Sequence, residues 1–162
     1  MFQPKTISDF PLVNGEFITS IEELKEILTK AKVETGYCAP SLYSEIGDKL
    51  KDSFNIEYEY ARERMEDYHF GITRADAAIA ESGTMILTDT YTSNRLGALS
   101  PWIHVACIYR KELIKTIGYA LSTLPDDPNT IFVTGPSKTA DVEGILIEGV
   151  HGPGRQICLL LG

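Results

Sequence analysis

Several things are scarce in this chain of 162 residues, and each scarcity narrows the reading. There are three cysteines, Cys38, Cys107 and Cys158, far apart, two of them inside apolar runs. An iron–sulfur cluster wants four thiolates, often closely spaced, and a structural zinc site wants paired Cys/His ligands. Neither pattern is present, and an odd count gives no disulfide framework. Cys107 and Cys158 read as buried, inert thiols. Basic residues are outnumbered, 15 Lys and Arg against 23 Asp and Glu, for a net charge of −8. A nucleic-acid binder needs a basic stripe to replace phosphate counterions, so no nucleic-acid partner is expected. No apolar run approaches the ~20 residues that cross a bilayer. Met1 to Gly15 lacks the regions of a signal peptide, and the chain reads as cytoplasmic.

What is present is ordinary globular composition, 43% hydrophobic and 23% charged, in a length that suits one domain. Ser20 with Glu23 forms a capping box, followed by Ile21, Leu24, Leu28 and Ala31 at helical spacing. A second helix starts at Pro40, with Leu42, Ile46, Leu50 and Phe54 as its stripe. Asn55 to Tyr60 alternates like a short strand, and Ala61 to Tyr68 reads as a solvated helix. Residues 77–81 and 84–88 flank Ser82-Gly83 and predict a hairpin pairing Glu81 with Thr84 and Ile79 with Ile86. An Ala-rich helix over Arg74 to Glu81 is the competing reading.

Asp89 to Pro101 is a long polar connection. Ile103 to Tyr109 is a strand buried on both faces. Leu113, Ile117, Ala120, Leu121 and Leu124 predict an amphipathic helix, Thr130 to Thr134 a strand, Thr139 to Gly149 a helix, and Arg155 to Leu161 a last buried strand. That order implies parallel pairing with right-handed crossovers. Ligands of such sheets sit beyond the strands' carboxyl ends, and Thr134-Gly135 lies at one such end.

Three segments concentrate glycines, hydroxyls and ionisable groups at the edges of apolar runs. They are Thr73-Arg-Ala-Asp-Ala-Ala-Ile-Ala-Glu-Ser-Gly-Thr84, Thr134-Gly-Pro-Ser-Lys-Thr-Ala-Asp-Val-Glu143 and Gly149-Val-His-Gly-Pro-Gly154. Together they predict a crevice for a small carboxylate or phosphate. Glu81, Ser82, Gly83 and Thr84 form one wall, Gly135, Ser137, Thr139 and Asp141 the second, and His151 with Gly152 closes it. Glu81 and His151 are the proton-handling pair if chemistry occurs. Arg95 and Arg74 could supply a fork for an anion. Each assignment has a plainer counterpart: Glu81 as a solvated turn residue, Thr139 as a helix cap with Asp141 on its dipole, and His151 with Gly152 as a helix C-terminus. His104 enters a buried strand and reads as a satisfied core residue.

These motifs, with the Leu99-Ser-Pro-Trp-Ile-His104 entry to a strand, resemble the LUD domain of the lactate utilization protein C family, also called YkgG-like. The likeness runs from about Gly71 to Leu161, so residues 71–161 form the core of a single domain spanning 1–162, with 1–70 a helical N-terminal part. It implies an α/β fold: a three-layer α/β/α sandwich of the NagB/RpiA/CoA transferase-like kind, with a mostly parallel sheet and a β-hairpin. It also implies a part in oxidising L-lactate beside partners, one carrying iron–sulfur clusters and one a Cys-rich redox protein. No cofactor is expected on this chain. A stand-alone isomerase, transferase or ligase acting on a phosphorylated or CoA-linked substrate, and a non-catalytic scaffold or regulatory module, remain as alternatives. Whether the domain is itself an enzyme is left open.

Overall fold

The computed structural model describes residues 16–88, 95–124, 129–140 and 146–162. Twelve short strands lie among them: β1 (Glu16–Ile18), β2 (Thr35–Cys38), β3 (Asn55–Glu57), β4 (Phe70–Arg74), β5 (Ala77–Ile79), β6 (Thr84–Leu87), β7 (Ile103–Tyr109), β8 (Leu113–Ile114), β9 (Ile131–Val133), β10 (Lys138–Ala140), β11 (Leu146–Glu148) and β12 (Arg155–Leu161). Four α-helical segments accompany them: α1 (Ile21–Lys30), α2 (Asp48–Leu50), α3 (Leu96–Leu99) and α4 (Ile117–Thr123). No helix among the described residues is long and apolar enough to cross a membrane.

The main sheet has six strands in the order β1-β12-β7-β4-β2-β3, and every neighbouring pair is parallel. Its central strands are apolar on both faces, as buried parallel strands must be. Ile72, Val105, Cys107, Ile157 and Leu159 point to one side and pack with Leu24 and Leu28 of α1 and with Leu42, Ile46 and Leu50. Helix α1 starts where the sequence places it, with the Ser20 hydroxyl accepting the Glu23 amide at 3.1 Å. The predicted second helix is instead a 3-10 turn (Pro40–Leu42), a π turn (Tyr43–Gly47) and α2. Its stripe is still buried throughout, so the packing survives the change in winding.

The other side of the sheet presents Ala106, Ile108, Cys158 and Leu160 to Ala98 of α3 and to Met85 and Leu87 of β6. These last belong to a second, four-stranded sheet in the order β8-β5-β6-β9. Helix α4 covers its far face through Ala120, which packs with Ala77, Ile79 and Ile86. Helix α3 lies directly on β4: a Cβ on Gly71 would overlap the Gly97 carbonyl, so the close approach requires glycine.

The hairpin is present, but its register differs by two residues. Ile79 pairs with Thr84 and Ala77 with Ile86, because the Gly83 amide closes a four-residue turn onto the Ile79 carbonyl at 2.9 Å, with Gly83 at φ 66°. A shift of two keeps each side chain on its expected face. The helix expected over Thr139 to Gly149 is replaced by the antiparallel pair β10–β11, with Thr139 opposite Ile147. Thr139 and Ile147 are β-branched and suit a pleated strand better than a helix. Leu113 lies in β8, and the helix beyond it starts only after Thr116, whose hydroxyl accepts the Tyr119 amide at 3.2 Å. Strand β9 pairs antiparallel with β6 in the smaller sheet. The parallel neighbours β7 and β12 therefore lie side by side without it.

Candidate functional site

The structure places the sequence-derived candidates in two groups. The first is on the smaller sheet. The Ser82 and Thr84 hydroxyls lie 2.7 Å apart, and Thr84 lies 2.7 Å from the Thr134 hydroxyl on the neighbouring strand's end. A chain of three hydroxyls thus joins the hairpin turn to the segment entering Gly135, which turns at φ 79°. Glu81 is exposed beside them. Its carboxylate accepts the Ile117 amide at 2.7 Å, and its own amide donates to the Lys115 carbonyl at 3.2 Å. Glu81 therefore satisfies a first-turn amide of α4, a role that neither a solvated turn residue nor a site carboxylate had suggested.

The second group is built around Ser137. Its amide donates to the Pro153 carbonyl at 2.8 Å, its carbonyl accepts the Gly149 amide at 2.8 Å, and its hydroxyl accepts the His151 amide at 3.2 Å. Gly152 lies against the Ser137 side chain. Ser137, His151 and Gly152 are thus brought together, with the His151 side chain exposed. The glycines around it have a second cause. A Cβ on Gly149, which stands at φ 77°, or on Gly154 would overlap the Trp102 indole. Trp102, the single tryptophan of the chain, lies over the loop. Its carbonyl accepts the Arg155 amide at 3.0 Å. Arg155 in turn forks onto Glu16, with Nη2 to Oε2 at 2.7 Å, which raises the guanidinium's already high pKa.

Thr139 sits in β10, two residues beyond Ser137. Arg95 stands at the start of α3, where its carbonyl accepts the Ala98 and Leu99 amides at 3.0 Å. Asp141 lies outside the described residues. Arg74 is a buried structural group. It pairs with Glu112, donates to the Cys107 carbonyl at 3.0 Å, and lies 4.6 Å from the Tyr109 ring centroid.

One polar arrangement was only partly visible in the sequence. His104 and Gln156 occupy paired positions on β7 and β12. The His104 Nδ1 is 2.9 Å from Gln156 Oε1, and Nε2 is 2.8 Å from the Thr73 hydroxyl. All three residues are buried. Burial pushes the imidazole pKa down to about 4, against a smaller opposing effect of the Gln156 bond. The ring is neutral near pH 7, so Nδ1–H donates to Gln156 and Nε2 accepts from Thr73. Among the described residues Gln156 Nε2 has no hydrogen-bond partner. Nearby, the Asp76 carboxylate accepts the Thr88 amide at 2.7 Å and the Thr88 hydroxyl at 2.8 Å. A Gln in the second position of an apolar strand, matching a His at the same position of another, was the available signal.

All three cysteines are free and buried. Burial pushes the Cys38 and Cys158 thiols up to about 12 and raises Cys107 well above its ordinary value.

A parallel six-stranded sheet with helices on one side and a second sheet on the other defines an α/β protein, and comparison with known proteins places it further. The LUD domain family model matches residues 20–161, and the chain belongs to that family. It is similar to lactate utilization protein C of Oceanobacillus iheyensis, 30% identical over 156 residues that cover 90% of this chain and 66% of the relative. It also resembles the protein of that name from Exiguobacterium sp., 40% identical over 105 residues covering 60% of this chain and 46% of the relative. The chain thus spans from about half to about two-thirds of the length of these relatives. A crystal structure of a DUF162 family protein from Deinococcus radiodurans shares the fold, with a TM-score of 0.51 and 16% identity, over 88% of this chain and 96% of that one.

Proposed function

We propose that this LUD domain acts in lactate utilization, as a cytoplasmic component of an iron–sulfur L-lactate oxidation system that binds a small carboxylate or phosphate metabolite. The shared name of its relatives supports the process. The observation that carries the site is the bonding of Ser137 to the Gly149–Pro153 loop, which sets a hydroxyl beside His151. Ser137 and Thr139 offer donors to an anion, Gly135 and Gly152 let backbone approach it, and His151 stands ready to exchange a proton with it.

Oxidising L-lactate to pyruvate releases two electrons and two protons, and the electrons need a carrier. The three thiols of this chain are buried and held protonated. Among the described residues no group of three or more His, Cys, Asp or Glu is placed to hold a metal. In this reading an iron–sulfur or Cys-rich partner carries the clusters that take the electrons, and this chain's residues handle the carboxylate. Co-purification from cells grown on lactate tests the assembly, and recovery of iron–sulfur and Cys-rich proteins is the expected result. Calorimetry with L-lactate and pyruvate tests the site. At least one is expected to bind, and His151→Ala with Ser137→Ala is expected to weaken it at least tenfold. Equal binding by that variant contradicts the site.

A further inference from the structure

The carboxyl ends of the adjacent central strands β7 and β12 open onto a groove of about 1010 Å³. Tyr109, Arg110, Lys111, Leu113, Lys115 and Tyr119 line it, and Gly162, next after β12, lies at its edge. None of the residues read from the sequence as ligand-binding is among these. Sheets of parallel strands hold their ligands at this end, and the volume suits a small organic molecule.

Three cations fall within six positions here, on a chain of net charge −8. The carboxylates beneath them are engaged. Glu112 pairs with Arg74 and accepts the Tyr109 amide at 2.7 Å, and Glu45 accepts the Tyr109 hydroxyl at 2.6 Å. With Arg74 4.6 Å from its centroid, the Tyr109 ring is held at both its polar end and its face. One aromatic wall is therefore rigid before any ligand arrives. Tyr119 is 57% exposed and stands free to meet a second flat surface. Leu113 and Ile114 add apolar lining.

We infer that this groove binds a nucleoside phosphate, with the phosphates on Arg110, Lys111 and Lys115 and the base against the tyrosine rings. A bare anion would leave the apolar lining and the rings uncovered. An acidic peptide without aromatic residues would meet the charges but offer the rings no planar ring to stack on. Stacking of a base on an aromatic ring and charge-assisted bonds to phosphate are both strong enough to matter. This site is separate from the Ser137–His151 loop and does not rest on the lactate reading.

The test is calorimetric titration of the whole chain with ATP, adenosine and inorganic triphosphate. ATP is expected to bind saturably at one site and more tightly than either fragment. R110E/K111E should weaken it at least tenfold and Tyr119→Ala severalfold, while Ser137→Ala leaves it unchanged. Arg110, Lys111 and Tyr119 are exposed, so these variants should fold, and far-UV circular dichroism checks that they do. Absence of ATP binding at about 1 mM overturns the inference. So does triphosphate binding as tightly as ATP, or equal ATP affinity in folded R110E/K111E. Loss of ATP binding in Ser137→Ala alone would move the site elsewhere and overturn it equally.

Discussion

His104 Nδ1 lies 2.9 Å from Gln156 Oε1, at positions paired across the two central parallel strands. The bond fixes the imidazole tautomer in a dry interior and makes one side chain's proton a matter of fold stability. The folded pKa is pushed down to about 4 from an ordinary 6.5. Above pH 6.5 both states carry a neutral ring and the contribution is full. As pH falls from there towards 4, only the unfolded chain takes up the proton, so stability is lost, on the order of 3 kcal/mol. Urea unfolding at about pH 7.5 and about pH 4.5 should show a smaller loss for His104→Gln than for the native chain. Equal losses would contradict the buried neutral ring.

Gly149 stands at φ 77° with the Trp102 ring where its Cβ would be. Gly149→Ala should cost about 1–3 kcal/mol and disturb the indole. Because Trp102 is the single tryptophan, its fluorescence reports the displacement directly. Unchanged emission and unchanged stability would show that the ring does not rest there.

Arg74 pairs with Glu112 in the interior, with only 6% of the arginine exposed. Arg74→Ala strands a carboxylate and should cost about 3–5 kcal/mol. Arg74→Lys keeps the charge but loses the fork onto Glu112 and the Cys107 carbonyl, and should fall between. Chemical denaturation checks the order, and a native-like Arg74→Ala would contradict it.

The three thiols are buried, with Cys38 and Cys158 pushed up to about 12. Native protein at neutral pH should react with a thiol-specific disulfide reagent only as fast as it unfolds, and all three should react in denaturant. Rapid native labelling would place at least one thiolate at the surface.

Local patterns carried much of the fold in the sequence. Ser20 capped α1 as its chemistry demands, and the apolar runs at Ile103–Tyr109 and Arg155–Leu161 became the buried heart of the sheet. The hairpin was legible from Ser82-Gly83, but not its register, which turns on how the Gly83 amide closes the loop. The β10–β11 pair was not legible, because spaced aliphatic residues fit a helix and a strand pair alike until a partner chooses between them. The approach of Gly97 to Gly71 joins segments distant in sequence, and no local pattern announces it. At the candidate site, the nearness of Ser137 and His151 followed from their glycine-rich settings. The engagement of Glu81 with α4 did not, because it depends on where that helix begins.

The proposed function requires a small carboxylate to bind where Ser137 meets the Gly149–Pro153 loop. Titrating isotope-labelled chain with L-lactate while following amide resonances tests it most directly. Saturable shifts concentrated at Ser137, Gly149, His151 and Gly152 are expected. Shifts confined to other parts of the chain, or none with L-lactate or pyruvate, would contradict it.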